Sequence, residues 1–113
     1  MYHITPTQDA KVWRALANKD RRRILDLLAT KPQTVGEIAG GFKTLSRFAV
    51  MQHLRVLTQA KLILVEARGR ERLNYLNAAP IQAIYDRWIS KYAQPIAQIG
   101  SALKHFTEGE SHG

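Results

Sequence analysis

Apolar residues recur at helical spacing through the first half of the chain. Ala10, Val12, Trp13, Leu16 and Ala17 share one face of a helix over Asp9 to Asn18. Asp20 then stands as N-cap of a second helix that buries Ile24, Leu25, Leu27 and Leu28. After the turn at Lys31, Pro32 and Gln33, the T-x-x-E pattern of Thr34 and Glu37 forms a capping box for a short third helix, which Gly40 and Gly41 end. Ser46 caps a fourth helix, Arg47 to about Gln59, whose Val50, Leu54 and Leu57 point inward at i, i+4 and i+7. Short third and fourth helices around a glycine turn predict a helix-turn-helix.

The period then changes. Leu62, Leu64, Leu73 and Tyr75 alternate on either side of Arg68, Gly69 and Arg70, which predicts a β-hairpin of residues 62–67 and 71–76 with an arginine tip. Pro80 opens a long helix with Ile81, Ile84, Tyr85, Trp88, Ile89, Tyr92, Ile96, Ile99 and Leu103 spaced by three or four, and Pro95 is expected to kink or break it. Residues 1–106 therefore read as one mainly α domain, a winged helix-turn-helix of order α-α-α-α-β-β-α. Residues 107–113 lack an apolar anchor and read as a disordered tail.

Charge sharpens this picture. The 113 residues carry 17 Lys and Arg against 9 Asp and Glu, a formal net of +8. Between Lys11 and Arg72 lie 14 of those cations and 5 of the acids, a net of +9, so the helix-turn-helix and hairpin are basic and the last third is near neutral. A basic surface alone fits any polyanion; beside a helix-turn-helix it points to duplex DNA. The chain has no cysteine, which excludes disulfides, thiol redox chemistry and Cys-ligated metals. The N-terminus shows no basic segment leading into an apolar one, and the longest aliphatic run is Leu62 to Val65, so neither a secretory signal nor a membrane span is expected and the cytoplasm is the expected compartment. No nucleophile–base pattern and no glycine-rich phosphate loop occurs, so no enzyme activity and no cofactor are expected.

In the helix-turn-helix frame the fourth helix enters the major groove. Arg47 suits guanine, Gln52 adenine and Phe48 a thymine methyl, with a core position under the turn as the other reading of Phe48. Lys43, Thr44, Ser46 and Arg55 suit phosphates. Two-residue spacing is expected to put Arg68, Arg70 and Arg72 on one side of the hairpin, for phosphates or an A·T-rich minor groove. The run Arg21, Arg22, Arg23 opposes its own helix dipole and needs another reason. Val12, Trp13 and Leu16 with Ile84, Tyr85, Trp88, Ile89, Tyr92, Ile96, Ile99 and Leu103 form a stripe too large for one small monomer to cover, which predicts a homodimer through the first and last helices.

Three motifs carry a family resemblance: W-R-A-L-A-N-K-D-R-R-R-I-L from Trp13 to Leu25, L-S-R-F-A-V-M-Q-H-L-R-V-L from Leu45 to Leu57, and R-G-R-E-R-L-N-Y-L from Arg68 to Leu76. From Val12 to about Phe106 the chain resembles the ArsR-type winged-helix repressors, dimeric bacterial transcription factors. The sequence D-R-W-I-S-K-Y from Asp86 to Tyr92 is similar to the branch without metal ligands. The resemblance implies a double-stranded operator as partner, repression by occluding it, a scaffold role within Arg21–Arg23, and a hydrogen-bonding role for His53 near the DNA backbone. Its metal-sensing branches place cysteines on the third helix or paired His and carboxylates on the last, and this chain has neither, so no metal is expected. The chain departs from the pattern at Phe48 (often Pro), Met51 (usually Ser) and Lys61 (normally Gly). The releasing signal is left open between a small molecule at the dimer interface, a protein partner, and nothing beyond changes in concentration.

Overall fold

The computed structural model describes residues 3–111, with the backbone alone for 94–98 and 106–111. Helix α1 is Pro6–Leu16, begun by Thr5, whose Oγ1 accepts from the Gln8 N–H at 3.1 Å, and by Pro6, whose fixed φ suits a first turn. Helix α2 is Lys19–Thr30. Its cap is Asn18 and not Asp20: Asn18 Oδ1 accepts from the N–H groups of Asp20 and Arg21 at 2.9 and 3.1 Å, which leaves Asp20 as the first-turn acid that the dipole favours.

Helix α3, Val35–Gly40, carries both halves of the expected capping box, with Thr34 Oγ1 and the Glu37 carboxylate exchanging backbone bonds at 3.2 and 3.0 Å. The bond from the Thr34 N–H, followed by that from the Thr34 side chain, holds the Glu37 carboxyl below its usual 4.5. A lowered carboxyl stabilises the fold above its ordinary value, so this contribution is present at neutral pH and is lost as pH falls through the lowered one. Helix α4 is Arg47–Gln59, with Ser46 Oγ accepting from the Ala49 N–H at 3.0 Å.

The end of α4 explains the odd lysine. Lys61 N–H donates to Thr58 at 2.9 Å and Leu62 N–H to Leu57 at 3.0 Å, the paired bonds of a Schellman stop, and Lys61 takes φ 61°. That left-handed conformation costs an L-residue about 1–2 kcal/mol, partly offset because glycine loses more entropy on folding. Lys61→Gly is therefore expected to stabilise the protein by about 0.5–1 kcal/mol in chemical denaturation; an unchanged or lower midpoint would refute the strain.

Strands β1, Ile63–Arg68, and β2, Glu71–Leu76, pair antiparallel with Ile63 opposite Leu76 and Arg68 opposite Glu71. The connection is the two-residue turn Gly69–Arg70, with Gly69 at φ +60°, where a primed hairpin turn places glycine. The alternation expected from Leu62, Leu64, Leu73 and Tyr75 is out of phase with the buried face. Leu62 and Ile63 enter the core and Leu64 is exposed, while on β2 the buried residue is Asn74. Asn74 is buried because it joins the wing to the body. Its N–H and Nδ2 donate to the Gln33 carbonyl at 2.9 and 3.1 Å, and Gln33 N–H returns a bond to the Asn74 carbonyl. Gln33 Nε2 then donates to the Leu27 carbonyl at 2.8 Å, so each buried amide is answered.

Helix α5 is Ala79–Ile84, and the five-residue π turn Tyr85–Ile89 links it to α6, Ser90–Ser111. The helix does not break at Pro95; its irregularity comes earlier, in the π turn, where Ser90 Oγ donates to the Asp86 carbonyl at 2.9 Å. Proline there forfeits one backbone bond, to the carbonyl of exposed Lys91, which water can serve. The backbone of α6 also passes the expected boundary at Phe106 and continues to Ser111, since extending a formed helix is far easier than starting one; residues 112 and 113 lie outside the described ones.

Val12, Ile24, Ile38, Val50, Leu57, Leu62 and Ile63 are fully enclosed and bring α1–α4 and the hairpin onto one core. Among the described residues no helix is long and apolar enough to cross a membrane.

Candidate nucleic-acid interface

The helix-turn-helix is α3 and α4, and inward Val50, Leu54 and Leu57 fix which way the rest of α4 looks. Phe48, Met51, Gln52 and Arg55, at i, i+3, i+4 and i+7, form the outer face, with Arg47 beside them in the first turn, all exposed. Phe48 is 70% exposed, so the core reading of this residue is overturned: the turn is filled by half-buried Phe42 and Leu45 instead. Lys43, Thr44 and Ser46 precede α4 and are exposed, with the Ser46 oxygen engaged as the cap.

The wing arginines do not share a face. Two residues form the turn, so Arg72 lies opposite Ala67, on the side with Val65 and Asn74, while Arg68 lies opposite Glu71 with Glu66. Counting by twos across the turn hides this reversal. Arg68 Nε donates to Glu66 at 3.0 Å, and that bond raises the guanidinium pKa still further. The pair is open to solvent, so Arg68 enters any DNA contact already partnered. Arg72 faces α4. With Arg70 and Arg47 it lines a cleft of about 360 Å³ beside Thr34 and Gly36 of the α3 start, in which Glu71 is the acid present. The fold thus gathers Arg47, Arg70 and Arg72 and leaves Arg68 apart.

The arginines at the α2 start serve the scaffold. Arg21 donates from Nε to the Ala15 carbonyl at 2.9 Å and from Nη2 to the Arg14 carbonyl at 3.0 Å, and Arg22 from Nη1 to Leu16 at 2.7 Å. These cations oppose the dipole of α2 but close the C-terminus of α1, whose last carbonyls they complete. Arg23 sits 5.8 Å from the Phe42 ring centre, within cation–π reach. His53 is half-buried and turned toward this group, its Nδ1 3.5 Å from Arg21 Nη1. A guanidinium only donates, so Arg21 is the donor side of this contact. The sequence offered no sign of this link, which crosses 32 positions.

The expected dimer residues divide. Val12 and Ile84 are corrected to the monomer core, where they are 0% and 2% exposed because α1 packs on α2, α4 and α5. Leu16 and Ile89 are half-buried against the same core. Trp13, Tyr85, Trp88, Tyr92, Ile99 and Leu103 remain exposed, with Trp88 at 52%. The side chain of Ile96 lies outside the described residues. Trp13 and Trp88 meet edge to face at 5.8 Å and Trp88 and Tyr92 are tilted at 5.2 Å, so the aromatics form one continuous surface. Arg87 Nη1 approaches Asp9 at 3.8 Å across its rim. Among the described residues no three His, Asp or Glu side chains converge to hold a metal ion.

This architecture is matched by known proteins. The model of a helix-turn-helix domain family matches residues 16–66, from the end of α1 into the wing. The HTH-type transcriptional regulator Rv2034 of Mycobacterium tuberculosis is 36% identical over 97 residues, spanning 80% of this chain and 90% of that protein. The transcriptional repressor SdpR of Bacillus subtilis is 35% identical over 71 residues, 63% of this chain and 78% of that one. Among solved structures, an ArsR family transcriptional regulator, RHA00566, superposes with a TM-score of 0.70 at 27% identity, covering 86% of this chain and 97% of its own. A wing bonded to the turn before α3, an outward-facing α4 and relatives matched over 78–97% of their own length agree: this chain belongs to the ArsR-type winged helix-turn-helix family of DNA-binding transcriptional regulators, which are not enzymes.

Proposed function

We propose that the protein is a sequence-specific repressor that covers its operator as a homodimer in the cytoplasm, with release governed by a small-molecule or protein effector. The observation that carries this reading is the exposed outer face of α4 beside the cleft of Arg47, Arg70 and Arg72: a reading helix and a phosphate-binding flank on one side of the molecule. Arg47 and Gln52 address base edges and Phe48 a thymine methyl. Lys43, Thr44, Ser46, Arg55, Arg70 and Arg72 address phosphates, Arg68 joins them once it leaves Glu66, and His53 acts through Arg21 by holding α4 in place.

The dimer follows from the aromatic surface. An apolar strip from Trp13 through Trp88 and Tyr92 to Ile99 is large for a monomer to leave in water, and among the described residues α6 packs chiefly against the π turn before it. A twofold pairing there sets two copies of α4 about 34 Å apart, one turn of DNA, and reads a pseudo-palindrome.

The test is retention of genomic promoter fragments against random duplex at fixed salt. A strong preference is expected, and a ratio near one would replace this reading with nonspecific nucleic-acid binding. On a retained site, Arg47→Ala is expected to lose discrimination at a single base pair by about tenfold. Equal loss on every sequence would make Arg47 a phosphate contact.

A further inference from the structure

The groove between α4 and the wing has a character that DNA does not explain. It has a volume of about 350 Å³ and adjoins the arginine cleft, with which it shares Val35 and Arg72. That volume lies within the range of about 300–1,000 Å³ typical of small-molecule sites. Val35, Met51, Leu54 and Val65 give it an apolar floor, Arg55 and Arg72 stand along it, and no acidic residue lines it. A phosphate chain gains nothing from an apolar floor, whereas a hydrocarbon does. Neither arginine has an ion-pair partner among the described residues. Met51 and Val65 are 51% and 45% exposed, so the floor opens to solvent.

We propose that this groove binds a small amphipathic anion, a carboxylate of one ring or a short chain, its charge answered by Arg55 and Arg72 and its hydrocarbon laid between Met51 and Val65. Such a ligand neutralises two of the cations assigned to phosphates. It therefore opposes DNA binding, and DNA opposes the ligand by the same factor. The binding half of the proposal stands on the groove; the regulatory half rests on the reading of this face as the DNA face.

Octanoate is the probe, with octanol and octylamine as neutral and cationic counterparts, titrated into the full chain by calorimetry with amide chemical shifts to locate it. Octanoate is expected to bind at least about tenfold more tightly than octanol, to move the signals of α4 and β1, and to release DNA. Val65→Trp fills the groove at a half-exposed position; it is expected to retain DNA but to lose both octanoate and the release. Arg72→Gln keeps the groove and Arg55 and is expected to cut the preference for octanoate over octanol severalfold. No saturable octanoate binding, equal binding of octanol, or shifts confined to the Trp13 and Trp88 surface each overturn the proposal. DNA binding without octanoate binding rejects the ligand site and leaves the repressor reading intact; octanoate in the groove of a protein that binds no duplex does the reverse.

Discussion

Replacing Arg70 and Arg72 together with alanine is expected to weaken binding to every duplex, operator and random alike, by about thirtyfold at about 0.15 M salt. The size follows from counterion release: each phosphate contact contributes about 0.9 to the slope of log K against log salt, hence about fivefold in affinity at that salt. The pair should lower the slope by about 1.8 and leave the ranking of sequences unchanged. Both side chains reach the cleft that Arg47 shares, and neither contributes to the core, so thermal stability should hold. Arg68→Ala should do less, because Glu66 already holds that guanidinium. A salt slope that the double substitution leaves unchanged would remove the wing from the interface.

Arg21→Ala should behave in the opposite way. It deletes two charge-assisted bonds to the closing carbonyls of α1 and the bridge to His53. Such bonds contribute about 1.5–3 kcal/mol each when buried. Here the arginine is half-buried, so a loss of about 2 kcal/mol, or roughly 8 °C in melting temperature, is expected. The slope of affinity against salt should not move below the melting range. Calorimetry and salt titration of the two variants together decide the matter: if Arg21→Ala flattens the slope as much as the wing pair does, the run at Arg21–Arg23 belongs to the DNA footprint.

Most of the architecture was legible because local rules set it. The capping box at Thr34 and Glu37, the Ser46 cap, the Val50/Leu54/Leu57 stripe and the glycine turn of the hairpin each act within a few residues, and each is found where the sequence puts it. Two of the misses come from packing between segments apart in the chain. Asn74 is buried because Gln33 answers it 41 positions away. Arg21 and Arg22 are no miss: they bond the end of α1 six and seven positions away, the scaffold role that the family resemblance implied. Val12 and Ile84 looked like interface residues because spacing marks an apolar face but not which neighbour covers it. At the candidate interface the outer face of α4 was readable from periodicity. The separation of Arg68 from Arg72 was not, because a two-residue turn reverses the alternation that the eye extends through it.

The π turn at Tyr85–Ile89 gives the last helix two angular frames. A π turn holds one residue more than an α turn, so positions on either side of it are offset by about 100° from what unbroken helical spacing assigns. Ile84 belongs to the first frame and is clamped in the core; Tyr92, Ile99 and Leu103 belong to the second and look outward. The segment thus stores a spare residue between the half of the protein proposed to meet DNA and the half proposed to meet a second copy. A relative shorter by one residue here would keep the same reading head yet turn a different flank of its final helix to its partner. Two copies would then be aimed at a different spacing of half-sites, although no residue near the DNA had changed.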